Sequence, residues 1–390
     1  MGKIYENYEL IESNLSKGYS INDYKNILDR LSDEKSKLNF FYRVMYDNTN
    51  DAKYALLLEK NMYMDTNFYS KNDFVMFQFL EFMLTNNNYD KEIYLVGFPF
   101  DYKYEDYNRW GIPCAYNHNV GALDVKCIYD NNYGYVFHTA EKDLDVINTD
   151  EIYKLNITEN MIFVFYNRKY EEIERYIYSK LPNENIFIFQ SNIVFSRNGQ
   201  YFFEDFIKFK NDEVFFDGGA FCLESSIDFM NVVHGNYKKI YAAEPEDESY
   251  KKCLELIKSC NFKDIQIENV GIWSHDTVLK FNDCGTGSSN VDDNGTVEIK
   301  CKSIDNIVNG NPVTIIKMDI EGSEYEALQG ARNTIIRYQP ILMICVYHKP
   351  NDIFKLTNLI LSMREDYNLY IRHHSFSRYE TVLYCVPKNR

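Results

Sequence analysis

Two acidic residues two positions apart, Asp319 and Glu321, follow Val313–Met318, a run that reads as a buried strand. Open α/β sheets hold ligands outside the carboxyl ends of their strands. In an extended chain, positions i and i+2 point the same way, so both carboxylates are expected to face one ligand. Such a pair can take a proton from a hydroxyl, or hold a divalent metal that polarises it. Its structural alternative is to orient the loop or balance a nearby positive charge. His348 follows a second strand-like run, Ile341–Val346. An imidazole near its working pKa at neutral pH is a third candidate catalyst, against the alternative of a hydrogen-bonded loop histidine. His373 and His374 are neighbours, so in a strand they point to opposite faces. Ser323 and Glu326 fit S-x-x-E, a capping box, and are assigned to structure.

A second group lies earlier. Glu213–Phe216 is a buried-type strand running into Asp217, Gly218, Gly219 and Ala220, then a helix to about Val233. The next strand, Lys239–Ala243, ends at Glu244 and Pro245. Strand, acid, glycines, helix, strand and acid describe half of a nucleotide-cofactor fold. Glycines let the backbone approach a ligand closely. Glu244, 27 residues after Asp217, can accept both hydroxyl protons of a ribose. NAD and S-adenosylmethionine (SAM) both carry adenosine, but SAM has no pyrophosphate to cradle. The loop reads D-G-G-A rather than a full G-x-G-x-x-G. The terminal strand candidates, Leu369–Arg372 and Thr381–Val386, are eight residues apart, too few for a parallel crossover. An antiparallel closing pair and the short glycine loop both favour SAM. A NAD-type sugar oxidoreductase is the first alternative, although no Tyr-x-x-x-Lys follows the right strand.

The elements that must position these residues read as α/β throughout. Residues 211–390 form one domain-sized segment. Its second helix carries Tyr250, Cys253, Leu254 and Ile257 at helical spacing, with Pro245 suited to its opening. Ile265–Glu268 is a third strand, and a helix to about Met363 follows the fifth. Thr277–Phe281 and Val297–Cys301 are extra strands around a loop at Cys284–Gly287. There Gly285, Gly287, Ser288 and Ser289 form either a lid or a plain hairpin loop. Residues 1–88 read as helical, from Tyr24, Ile27, Leu28 and Leu31 and from Met76, Phe79, Leu80 and Met83 within Phe74–Leu84. Residues 89–195 read as a small Rossmann-like domain. Strands at 93–96, 125–128, 135–138, 161–165 and 186–189 alternate with helices at 102–109 and 169–181. Its first turn, Gly97-Phe98-Pro99-Phe100-Asp101, places Pro where a donating amide would help, so the nucleotide loop is degenerate. A turn at Ser196–Gly199 leads onward.

Composition bounds the function. The 390 residues carry 42 Lys and Arg against 58 Asp and Glu, a net charge of −16. That balance opposes general binding to phosphate backbones, so no nucleic-acid partner is expected. No run approaches the ~18 apolar residues of a membrane span, and no secretory signal is visible at the start. Nine scattered cysteines without a C-x-x-C pair read as reduced thiols in a cytoplasm, and no zinc spacing is present. Nothing in the sequence sets the oligomeric state.

The segment 214–386 resembles the FkbM family of SAM-dependent methyltransferases. The likeness rests on Val214–Ala220, Ala243-Glu244-Pro245, Ile316–Glu324 with its K-x-D-x-E-G-x-E string, Arg372–Ser375 and Glu380–Tyr384. It implies a Rossmann-like methyltransferase sheet and SAM as cofactor. It also implies a hydroxyl acceptor on a small carbohydrate or other natural product, the carbohydrate belonging to a bacterial surface glycan. Asp217, Gly219 and Glu244 would be cofactor contacts, with Gly218 and Ala220 in the same loop. Asp319, Glu321 and His348 are the candidate catalytic residues. A divalent metal is an alternative that is not expected. Residues 1–200 would select or dock the acceptor. The family usually has another Gly six positions after its Asp, where this chain has Leu223. A side chain there is expected to crowd the methionine end of SAM, which supports a third reading, a non-catalytic glycan-assembly partner.

Overall fold

A computed structural model describes residues 3–62, 78–79, 81–85, 88, 91–97, 124–131, 133–137, 144–165, 170–188, 201–202, 204–282, 290–291, 295–374 and 379–390. The expected helix at 102–109, the turns at 98–101 and 196–199, and the Gly-Ser loop at 284–289 lie outside these residues. So do residues 74–77 and 80 of the 74–84 stretch, of which 78–79 and 81–84 are helical. Contacts divide the chain into two units, one of residues 1–15, 41–196 and 373–379, the other of 16–40, 197–372 and 380–390.

The amino-terminal helices are α1 (Tyr8–Asn14), α2 (Ile21–Leu28), α3 (Glu34–Thr49) and α4 (Ala52–Met62). A capping box starts α2: the Ser20 hydroxyl accepts from the Asp23 amide, and the Asp23 carboxylate accepts from the Ser20 amide. In the first unit, β1 (Glu92–Val96), β2 (Asp124–Tyr129), β3 (Tyr135–Phe137), β4 (Leu144–Ile147), β5 (Met161–Phe165) and β6 (Ile186–Ile188) form one sheet in the order β3-β4-β2-β1-β5-β6. All pairings are parallel except β3 with β4. The helix α5 (Glu171–Tyr178) buries Ile173 and Ile177 in a core with Tyr94, Phe163 and Phe165. The strand β4, flanked by polar residues, is not apparent from the sequence pattern.

The second unit is built on near-continuous apolar runs, the pattern of parallel strands buried on both faces. In chain order its elements are β7 (Glu213–Gly218), α6 (Glu224–Val232), β8 (Tyr237–Ala243), α7 (Asp247–Ser259), β9 (Ile265–Glu268), β10 (Gly271–Ile272), β11 (Thr277–Asn282), β12 (Asn290–Val291), β13 (Val297–Lys302), α8 (Ile304–Val308), β14 (Ile315–Met318), α9 (Glu324–Gly330), α10 (Arg332–Tyr338), β15 (Ile341–Cys345), α11 (Asp352–Met363), β16 (Tyr367–His373) and β17 (Thr381–Pro387). The main sheet runs β16-β17-β15-β14-β7-β8-β9, parallel from β15 to β9, with β17 antiparallel to β15. This is the methyltransferase-type sheet expected from the resemblance. Strand order reverses between β7 and β14, which puts a ligand crevice at their carboxyl ends. The strands β10 to β13 form a separate small sheet.

Residues 16–40, grouped by the sequence reading with the amino-terminal helical region, fold into the second unit instead. Aromatic packing and a buried cation explain this. Tyr19 stacks on Phe354 at 4.7 Å, and Phe40 meets the same ring edge-on at 5.5 Å. Arg372 is paired with Asp33 at 2.6 Å and Glu204 at 2.9 Å, beneath the stacked rings of Phe206 and Tyr370.

Candidate active site

At the end of β7 the glycine turn is held from three sides. The amides of Gly219 and Ala220 both donate to the Ala243 carbonyl at the end of β8, at 3.2 and 3.1 Å. The buried Lys317 ammonium on β14 donates to the carbonyls of Gly218 (3.2 Å) and Gly219 (2.7 Å) and lies 3.3 Å from the Asp217 carboxylate. Asp217 is fully buried and also accepts from Ser225 and Ser226 in the first turn of α6. Asp217, expected as a cofactor contact, is engaged within the protein, where it ties the glycine turn to α6 and β14. Gly219 has φ +75°, and a Cβ there would fall 2.0 Å from the Asp319 carbonyl oxygen. The glycine is therefore required by the approach of two backbone turns to each other. Ala220 is buried in a core cluster with Leu223, Ala242 and Cys253.

That cluster shows where Leu223 goes. Its backbone is left-handed, φ +60°, which explains why glycine suits this position. Its side chain is fully buried among apolar neighbours, with Ile227, Ile257 and Ile267 beside it. Burial of a Leu side chain, worth about 1.5–3 kcal/mol, offsets a backbone cost of about 1–3 kcal/mol.

Glu244 ends the turn after β8 and is 6% exposed. One carboxylate oxygen accepts from the Phe221 amide (2.7 Å), the other from the Glu246 amide (2.9 Å). Burial pushes its pKa up to about 7, against those two amides, which favour the charged form. Each oxygen retains acceptor capacity. An acid this deep, beside the glycine turn, suits the two hydroxyl donors of a ribose, which would stabilise its ionised form.

Across the switch point, Asp319 and Glu321 come together with His348, which follows β15. His348 Nε2 lies 3.4 Å from Asp319 Oδ1 and 3.5 Å from Glu321 Oε2, and Nδ1 lies 2.9 Å from Glu324 Oε1. The expected trio is thus assembled, but not by strand alternation. The strand β14 ends at Met318, and Glu321 (φ +52°) and Gly322 (φ +90°) form the middle of a tight turn closed by the Ser323 amide to the Ile320 carbonyl. The turn, rather than the pleat, swings Glu321 back. The expected capping box is absent, because Ser323 makes no side-chain cap. Glu324 instead accepts from the Ile320 amide at 3.0 Å.

Electrostatics separates the three roles. Burial opposes charge on Asp319, but His348, Lys317 and the Tyr201 hydroxyl outweigh it and hold the carboxyl well below its usual range. Burial likewise opposes charge on His348, yet Glu324 and Asp319 raise its pKa well above 6.5. Without a ligand in the site, these two acids favour the charged imidazolium over the neutral ring that the sequence reading assigns to His348. Glu321 is raised to about 7 by burial, with Asp319 and Glu324 adding to the shift and His348 opposing it.

Two tyrosines complete the cluster and were not singled out by the sequence. Tyr201 donates to Asp319 Oδ2 at 2.9 Å, and Tyr347 donates to Oδ1 at 3.0 Å. Tyr347 stands one residue before His348, which is a usable signal; Tyr201, 118 residues from Asp319, offers none. His373 is buried at the end of β16, and residues 373–379 group with the other unit.

The sheet order, the glycine turn and the acids at successive strand ends define a Rossmann-like methyltransferase. Residues 217–377 match the methyltransferase FkbM domain. The FkbM methyltransferase of Methylobacillus flagellatus KT, 19% identical, is similar in structure with a TM-score of 0.51 over 79% of this chain and 93% of that one. An rRNA methylase from Streptococcus thermophilus (10% identity, TM-score 0.32, 46% and 88% covered) and SAM-bound fibrillarin from Aeropyrum pernix (10%, 0.31, 45% and 67%) are more distant. No curated protein matches the chain. Among the described residues no helix is long and apolar enough to cross a membrane.

Proposed function

We propose that this chain is a cytoplasmic SAM-dependent O-methyltransferase whose acceptor is a hydroxyl of a sugar or sugar nucleotide used in a bacterial surface glycan. The observation that carries this reading is the pair of carboxylate groups flanking one glycine turn. Glu244 lies on the β8 side, and Asp319 with Glu321 lies on the β14 side, at the switch point of the sheet. The first suits a ribose. The second suits an acceptor hydroxyl, which must lose a proton as it gains a methyl group. SAM, when bound, supplies an electrophilic methyl on a sulfonium. An acceptor hydroxyl that took this methyl from the sulfonium would have to release its proton to the protein. Glu321, the more exposed of the two carboxylates, is its acceptor, while Asp319 stays anchored by two tyrosines. Alignment of such a pair supplies on the order of 7–11 kcal/mol of the barrier. The small α/β unit at 89–195 we read as a degenerate Rossmann-like domain.

The test is transfer of labelled methyl from SAM to a panel of sugars and sugar nucleotides, with Asp319→Asn as the control that keeps shape and removes charge. Loss of turnover under saturating substrates is expected; wild-type turnover in Asp319→Asn would remove Asp319 from the reaction. Stabilisation by NAD(P)H and none by SAM would replace the reading with an oxidoreductase.

A further inference from the structure

The Asp319, Glu321 and His348 groups are spaced for something larger than a proton. One ligand atom from each lies within 4.8 Å of the others. His348 Nε2 is 3.4 and 3.5 Å from the two carboxylate oxygens, whereas a charge-assisted hydrogen bond draws nitrogen and oxygen to about 2.7–2.9 Å. Two ligands each about 2.1 Å from a common cation, at tetrahedral or octahedral angles, are roughly 3.0–3.4 Å apart. The His348 side chain is 5% exposed, and its Nε2 makes no well-aligned hydrogen bond although both carboxylates face it. A deeply buried imidazole aimed at two carboxylates with no aligned acceptor is an independent sign of a missing occupant.

The surroundings have the organisation of a ligand set. Behind the ring, Glu324 Oε1 is 2.9 Å from Nδ1, and a carboxylate there leaves the Nε2 lone pair directed at the carboxylates. Asp319 is oriented by a phenol on each oxygen. Glu321 is brought in by a turn whose left-handed backbone a glutamate does not favour.

We propose that Asp319, Glu321 and His348 Nε2 are the three protein ligands of a divalent cation. One imidazole nitrogen and two carboxylate oxygens suit Mn²⁺ or Zn²⁺ better than Mg²⁺ or Ca²⁺, which prefer oxygen alone. Three protein ligands leave positions open for water or a substrate hydroxyl. A hydroxyl seated there is made more acidic, and that consequence, unlike the binding, rests on the methyltransferase reading. Its proton then passes to the second, unligated oxygen of Glu321.

Mn²⁺ is the probe, since it does not seek the chain's free thiols. The full-length protein, stripped with EDTA, is titrated with Mn²⁺ and free ion is followed by electron paramagnetic resonance. One Mn²⁺ per chain is expected, with Glu321→Gln and His348→Gln each weakening it at least about tenfold. No bound Mn²⁺, or binding unchanged in both variants, overturns the proposal. Circular dichroism verifies that each variant is folded. If His348→Gln is not, Glu321→Gln alone decides, because Glu321 is the partly exposed member. Calorimetry with SAM on the same stripped protein separates the two readings. Mn²⁺ binding without SAM binding would sink the methyltransferase and leave the cation site, and SAM binding without Mn²⁺ would do the reverse.

Discussion

Replacing Glu244 by Gln probes the cofactor side of the site without touching the cation cluster. Burial pushes this carboxyl up to about 7, outweighing the two amides that hold it. An acid with that pKa is about nine-tenths protonated at about pH 6 and about one-tenth protonated at about pH 8. Ribose hydroxyls bind the ionised form, so SAM affinity should rise about tenfold between those pH values, or about 1.4 kcal/mol. Glu244→Gln should bind SAM at least about tenfold more weakly than wild type near pH 8, having lost a charge-assisted acceptor. It should also lose the slope. Comparing the two proteins cancels any titration of SAM itself. The same shift has a stability sign. Folding raises the pKa from 4.5, so the ionised group opposes folding. The penalty is absent below about 4.5, grows as pH rises and is complete above about 7, at roughly 3 kcal/mol. The variant should therefore unfold at higher denaturant than wild type near pH 8 and converge with it at about pH 4. Isothermal calorimetry in buffers of different ionisation enthalpy reads the proton released on binding. A flat affinity profile in wild type, or an equal slope in the variant, would show that Glu244 does not hold the ribose.

Leu223→Gly relieves a left-handed backbone but empties a packed position, so urea melts should show a net loss of about 1–4 kcal/mol. SAM affinity should not improve, and a clear gain would mean that Leu223 crowds the cofactor after all. Gly219→Ala should lose at least about 2 kcal/mol, since its Cβ meets the Asp319 carbonyl from a positive φ. Full stability in that variant would refute the close approach of the two turns. Lys317→Met strips a cation from buried Asp217 and from two carbonyls and should cost about 3–5 kcal/mol by chemical denaturation. A loss under about 1 kcal/mol would mean that Lys317 does not hold the glycine turn.

The strands of the second unit were legible because buried parallel strands are written as unbroken apolar runs, as in Ile341–Cys345. Their order was legible only at the closing pair, where a short connection restricts the topology. The acids at strand ends were legible for the same reason: a run stops and a carboxylate follows. What failed was local geometry inferred from the wrong regular structure. Alternation was applied to Asp319 and Glu321, although the chain leaves the strand before either. A capping pattern was read at Ser323, whose hydroxyl makes no such bond. What was invisible was convergence over long distances, as with Tyr201 on Asp319, and charge that depends on neighbours, as with Glu324 on His348. Asp217 and Gly219 show a related limit: residue type announces a special turn, and the coordinates add the groups behind it, Lys317 and the Asp319 carbonyl.

The buried Arg372 cation has a consequence for how the chain is made. Its partners in α3 and the turn before it, Ser36 and Asp33, are synthesised 336 and 339 residues earlier. At about 5–20 residues per second a ribosome needs roughly 20–70 s to cover that distance. Throughout that interval Tyr19 and Phe40 have no Phe354 to cover them, and the nascent amino terminus presents bare aromatic surface. A gene fragment limited to 217–377 would inherit the opposite defect, an arginine desolvated with no acid to meet it.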